Sequence, residues 1–124
     1  MPTVLLVEDD ALVAAVAGDV LEDMGYQFVE ASSVKAALDA AGPDLARFDV
    51  AIVDVGLPDG KGDELALKLR RLRDDFPIII ASGYGQSDLD GRLRDLKQMV
   101  VLQKPYDSTQ LLGALATLGV NTPI

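Results

Sequence analysis

Histidine and cysteine are both absent from this 124-residue chain, and each absence closes off a class of chemistry. Without cysteine there is no disulfide framework and no thiolate metal site. Without histidine the usual imidazole ligands and general bases are missing as well. Zinc centres and histidine-based nucleophilic triads are therefore excluded. Basic residues are scarce: eleven Lys and Arg stand against twenty Asp and Glu, for a net charge of -9. That balance argues against a nucleic-acid surface, which needs clustered cations to displace counterions from phosphates. No apolar run approaches the ~20 residues that span a bilayer. The start, Met1-Pro2-Thr3-Val4, offers neither a basic region nor an apolar stretch before Glu8. The expectation is a cytoplasmic protein that contacts neither membrane nor nucleic acid directly.

The balance of 49% hydrophobic and 25% charged residues is that of a folded globular domain. A chain of this length buries roughly two thirds of the surface its unfolded form exposes, enough for a core of its own. No internal repeat, low-complexity segment or linker interrupts it, so one free-standing domain over residues 1–124 is expected. The acidity is uneven. Residues 1–60 hold twelve acids and two bases, a net of -10, whereas residues 61–124 hold eight and nine, a net of +1. Asp19, Glu22, Asp23 and Asp39 read as solvated surface, and the remaining excess raises the question of a bound cation.

Short apolar runs alternate with stretches of helical periodicity. Val4–Val7, Phe28–Ala31, Val50–Val53, Ile78–Ala81 and Met99–Leu102 are the strand candidates, several too continuously apolar to face water on either side. Between them, Ala11–Met24 carries Leu12, Val13, Val16, Val20, Leu21 and Met24 on one stripe, and Val34–Ala41 follows a cap at Ser32 or Ser33. Asp63–Leu72, Asp88–Leu96 and Ser108–Leu118 complete five predicted helices. Strand followed by helix, five times, implies a parallel sheet covered on both faces, because parallel strands need a crossover.

In such an open α/β sheet the site lies beyond the carboxyl ends of the strands. The first strand ends in Glu8-Asp9-Asp10, the third in Asp54, the fourth in Ser82 and the fifth in Lys104-Pro105. Each also has a plainer reading: Asp10 as a helix cap, Asp54 and Ser82-Gly83 as turns, Lys104-Pro105 as a strand exit. Those readings do not explain why all fall on one edge. Carboxylates gathered within about 4 Å repel by about 4 kcal/mol per pair at an effective dielectric near 20, so they call for a cation. Oxygen ligands alone suit Mg²⁺, and Lys104 supplies a second positive charge suited to a phosphoryl group.

These residues in this order resemble the receiver domain of response regulators, over essentially the whole chain. The pieces that carry the resemblance are Val4-Leu5-Leu6-Val7-Glu8-Asp9-Asp10, Asp54-Val55-Gly56-Leu57-Pro58-Asp59-Gly60, Ile78-Ile79-Ile80-Ala81-Ser82-Gly83 and Lys104-Pro105-Tyr106. The resemblance implies a flavodoxin-like, doubly wound (βα)5 fold with strand order 2-1-3-4-5. It implies that Glu8, Asp9 and Asp54 hold Mg²⁺ with the Gly56 carbonyl, that Asp54 is the phosphoacceptor, and that Ser82 and Lys104 contact the phosphoryl oxygens. The implied donor is a histidine kinase or histidine phosphotransfer protein. The chain would catalyse only its own phosphorylation and dephosphorylation, and would signal to a downstream protein through the face of its fourth helix, fifth strand and fifth helix.

One position departs from the common pattern: Val101 stands where many receivers carry an aromatic switch residue. Ile80-Ala81-Ser82-Gly83-Tyr84-Gly85 is similar to a subclass with Gly and an aromatic after the Ser or Thr, which makes Tyr84 a candidate switch beside Ser82. Lys68, Arg70, Arg71 and Arg73 read as a solvated basic face, Tyr106 as a packing residue, and Asp59-Gly60 and Gly62 as loop formers. Three rivals remain distinguishable. A flavin carrier needs a Ser/Thr/Gly-rich loop where Glu8-Asp9-Asp10 stands, an aspartate phosphatase needs a carboxylate where Gly56 stands, and an adapter pseudo-receiver needs no complete acidic set.

Overall fold

Five strands pair in parallel in the computed structural model, which describes residues 3–43, 45–82, 97–104 and 106–120. In chain order the elements are β1 (Thr3–Val7), α1 (Ala11–Asp23), β2 (Gln27–Ala31), α2 (Val34–Ala41), β3 (Val50–Asp54), β4 (Gly56–Leu57), β5 (Gly60–Lys61), α3 (Gly62–Leu72), β6 (Ile78–Ser82), β7 (Met99–Gln103) and α4 (Ser108–Thr117). The sheet runs β2-β1-β3-β6-β7, which is the expected 2-1-3-4-5 once the short antiparallel hairpin β4–β5 is set aside. The fold is α/β and flavodoxin-like. The predicted helix over 88–96 lies outside the described residues, as does Tyr84.

The continuously apolar runs sit where burial on two faces demands them. Every residue of β3 and β6 is buried, whereas the edge strands β2 and β7 are only partly so. Alternation along the strands splits the core in two. On one face, Leu5, Val7, Ala51, Val53, Ile78 and Ile80 meet α2 and α3; on the other, Val4, Leu6, Val50, Ile52 and Ile79 meet α1 and α4. The helices begin where their caps are: Asp10 accepts from the Leu12 and Val13 amides, Ser33 accepts from Ala36, and Asp107 forms a capping box with Gln110.

Three expectations need correction. In α1 the buried stripe is Ala14, Ala17, Gly18 and Leu21, while Leu12 and Val16 are 74% and 54% exposed. The helix lies close to the sheet: a Cβ on Gly18 would stand 2.8 Å from the Phe28 ring, so the small residues face inward and the branched ones turn out. In α3, Arg70 is not solvated. It is buried on the stripe of Leu65, Ala66 and Leu69, its Nε donates to the Phe76 carbonyl at 2.7 Å and its Nη2 to the Gln98 carbonyl at 2.9 Å and to Lys97. Arg73 is exposed yet donates to the Phe48 carbonyl at 3.0 Å. Finally, Gly60 and Gly62 are not plain loop: Gly60–Lys61 pairs with Gly56–Leu57, and Gly62 is the first residue of α3, while Asp59 lies in the turn as expected.

Candidate functional site at the carboxyl ends of the strands

Register brings the charged residues together. Val7 lies opposite Val53, so the next residues, Glu8 and Asp54, are neighbours; Asp54 lies opposite Ala81, which sets Ser82 one step further; Ser82 lies opposite Gln103, which delivers Lys104. The main chain holds this edge in order through Glu8 N–H to Ala31 O at 3.0 Å, Val55 N–H to Ala81 O at 3.1 Å and Lys104 N–H to Ser82 O at 2.6 Å. The site also sits at the topological switch point, where the chain leaves β1 toward β2 on one side and β3 on the other.

Glu8, Asp54 and Ser82 are buried, Asp9 is exposed, and Gly56 is exposed at the start of the hairpin. Lys104 Nζ stands 2.8 Å from Glu8 Oε1 and 3.0 Å from Asp54 Oδ1. Glu8 Oε2 accepts from the Asp10 amide at 3.3 Å, and Asp10 otherwise caps α1, so its carboxylate belongs to the helix. One oxygen from each of Glu8, Asp9 and Asp54 lies within 4.8 Å of the others. Tyr106 is half-buried against the α1–α4 side of the core, as expected, and Val101 is 51% exposed on β7.

Burial pushes the Glu8 carboxyl up to about 7; the bond from Lys104 opposes this and neighbouring Asp54 reinforces it. For Lys104, burial alone would lower the ammonium, but the bonds from Glu8 and Asp54 outweigh it and hold its pKa above the usual value. The two shifts describe a shared ion: the Lys104 ammonium lies between two carboxylates, and Glu8 is left short of cation. The Tyr106 phenol, raised by burial to about 12, stays protonated beside them. Among the described residues three carboxylates face one ammonium, and three hard oxygen donors fit Mg²⁺, which takes one or two carboxylates and keeps its remaining positions for water and phosphate oxygens.

The sequence matches the response regulator receiver domain family over residues 4–116. The chain belongs to that family. Receiver domains are the signalling modules of two-component systems and take phosphoryl groups from histidine kinases or phosphotransfer proteins. Among similar proteins, the transcriptional regulatory protein PdtaR of Mycobacterium tuberculosis is 33% identical over 113 residues, covering 90% of this chain and 54% of its own. The sporulation initiation phosphotransferase F of Bacillus subtilis is 24% identical over 90% of this chain and 89% of its own. A CheY-like receiver domain protein from Methanospirillum hungatei superposes with a TM-score of 0.81 at 26% identity, covering 96% of this chain and 94% of the other. The chain thus spans about half the length of PdtaR and most of the length of the shorter relatives. No helix among the described residues is long and apolar enough to cross a membrane.

Gly62 is a site residue that composition alone did not reveal. A Cβ there would come within 2.7 Å of the Asp54 carbonyl carbon and 2.8 Å of Val55 Cα, so only glycine lets α3 start against the backbone of this receiver's Asp54. The sequence signal was a glycine opening a helical pattern with no cap before it. For Arg70 the sequence carries only a weak signal, its helical spacing from Ala66 and Leu69.

Proposed function

We propose that residues 1–124 form one phosphoacceptor receiver in which Asp54 takes a phosphoryl group in the cytoplasm from a phosphohistidine on a kinase or phosphotransfer protein. The observation that carries this reading is the pairing of a buried carboxylate with a single ammonium, Asp54 Oδ1 to Lys104 Nζ at 3.0 Å, beside Glu8 and Asp9 at the open end of the sheet. An Asp54 oxygen attacks phosphorus, an O–P bond forms, and the P–N bond breaks with its electron pair leaving on the donor imidazole. Glu8, Asp9, Asp54 and the Gly56 carbonyl would hold Mg²⁺, which would offset negative charge on the transferring group. Lys104 lies within reach of Asp54 and holds a phosphoryl oxygen by a charge-assisted bond, and the Ser82 hydroxyl takes another. Attack of water on the phosphorus of the acyl phosphate breaks its O–P bond, releases inorganic phosphate and returns Asp54 to its free carboxylate, so the chain turns over nothing but its own modification.

Output in this reading runs from Ser82 through the segment that carries Tyr84 to the face of the helix predicted over 88–96, β7 and α4, where a downstream protein docks. Val101, half-exposed and β-branched, has no long side chain to rotate, which leaves the signalling role to Ser82 and Tyr84. Acetyl phosphate with Mg²⁺ tests the core of the proposal. Intact-mass spectra should show one added phosphoryl group on the wild type and none on Asp54→Asn; a variant modified at the wild-type rate would overturn the assignment.

A further inference from the structure

The loop that carries Gly56 is held from outside the acidic site. Gly56 pairs with Lys61 and Leu57 with Gly60 around a two-residue tip, Pro58-Asp59. From that tip Asp59 reaches a helix more than twenty residues earlier in the chain. Its Oδ1 accepts from the Val34 amide at 2.7 Å and its Oδ2 from the Lys35 amide at 3.0 Å. These are two of the first-turn donors that α2 cannot satisfy itself; a third, Ala36, goes to Ser33 Oγ at 3.0 Å. The bonds from Lys35 and Val34 hold the Asp59 carboxyl below its usual pKa, so it is anionic at neutral pH. Gly60 adds contact: a Cβ there would stand 3.2 Å from Val34 Cγ2, so the hairpin lies directly on the first residue of α2. At its base the hairpin ends in Gly62, whose amide donates to Val55 O at 2.8 Å. Gly56 therefore lies between two clamps, one on the Asp54–Val55 backbone and one on α2.

We infer that Asp59 is a positioning residue for the Gly56 carbonyl: its two bonds to α2 fix the hairpin and thereby set the cation affinity of the acidic site, an inference that rests on the metal site proposed above. Coupling of this kind is reciprocal. Whatever the cation gains from an ordered hairpin, the first turn of α2 gains from the cation. The amino end of α2 becomes a second place where occupancy of the site is registered, on the opposite side of β3 from Ser82 and β7.

The test is a MgCl₂ titration of the ¹⁵N-labelled chain followed by amide shifts. In the wild type, amides at 8–10 and 54–56 should move with the same midpoint as those of Val34 and Lys35. Asp59→Ala should raise the Mg²⁺ dissociation constant about tenfold, the low end for residues that support a metal ligand without touching the ion, and should silence Val34 and Lys35. Asp59→Asn keeps one acceptor oxygen and should fall between the two. Ser33→Ala removes the other cap of α2 without reaching the hairpin; it should lower the melting temperature and leave Mg²⁺ affinity in place, which separates positioning from a general loosening of the helix. Wild-type affinity in Asp59→Ala, an equal loss in Ser33→Ala, or Val34 and Lys35 amides that stay still while those at 54–56 move would each overturn the role of Asp59 alone. Unmoved amides at 8–10 and 54–56 in the wild type would overturn the metal site itself and the inference with it.

Discussion

Replacing Glu8 with Gln removes one of the two buried carboxylates that share Lys104, and the effect should depend on pH in a way the geometry fixes. The folded chain holds the Glu8 carboxyl at about 7 against an ordinary 4.5. A carboxyl raised on folding favours the fold in its neutral form, so its contribution is complete below about pH 4.5 and is lost as pH rises through about 7. A gap of that size corresponds to about 3 kcal/mol as a ceiling. Lys104, with 19% of its side chain in water, shares the charge with solvent, so about 1–2 kcal/mol is the expected loss between about pH 5 and about pH 8. The other displaced groups titrate outside this window: Asp59 is held below its usual value, and Lys104 and Tyr106 above theirs. Urea unfolding at several pH values, with and without the substitution, measures the effect directly. The wild type should lose stability toward pH 8 and Glu8→Gln should not, while Mg²⁺ at pH 8 should restore the wild type and leave the variant unchanged. A wild-type profile that is flat or rising across the window, or a variant that falls as steeply, would refute the electrostatic account of the site.

Asp9→Asn removes one charge from the repelling cluster; it should raise the melting temperature of the metal-free chain and weaken Mg²⁺ binding, both read by thermal melts with and without the ion. Arg70→Met should cost about 2–3 kcal/mol in urea unfolding by stripping the Phe76 carbonyl of its Arg70 donor and leaving the Gln98 carbonyl with the Ile78 amide alone, and Arg70→Lys should not rescue it, because one ammonium cannot span the fork. Gly62→Ala should destabilise the fold despite the usual advantage of Ala over Gly in a helix, which is about 1 kcal/mol, and should slow phosphorylation by acetyl phosphate, since the added methyl meets the Asp54 backbone.

The sheet and the gathering of most candidate site residues on one edge were legible in the sequence because both depend on local pattern. Continuous apolar runs marked β1, β3 and β6, and the residue following each strand marked the site, since parallel register places those residues on one edge without any long-range detail. What stayed hidden depended on how closely elements approach. The inward stripe of α1 was misread because hydrophobicity ranks Leu12 above Ala14, whereas the short distance to Phe28 admits only small side chains. Arg70 was misread because a run of bases looks solvated until the carbonyls that surround it are in place. Asp59 was read as a turn former, which is its local role; its bonds to α2 span more than twenty residues and leave no periodic trace.

The composition of the inward face of α1 has a kinetic consequence. A helix that buries alanine and glycine with a single leucine removes little apolar surface from water, compared with the isoleucine and valine of β3 and β6. Its amides should therefore exchange with solvent through local opening well before the central strands do. Because α1 is capped by Asp10, whose own amide is tied to Glu8, each opening also loosens the acidic loop. The rate at which α1 breathes thus bounds how long the acidic end of the sheet stays assembled.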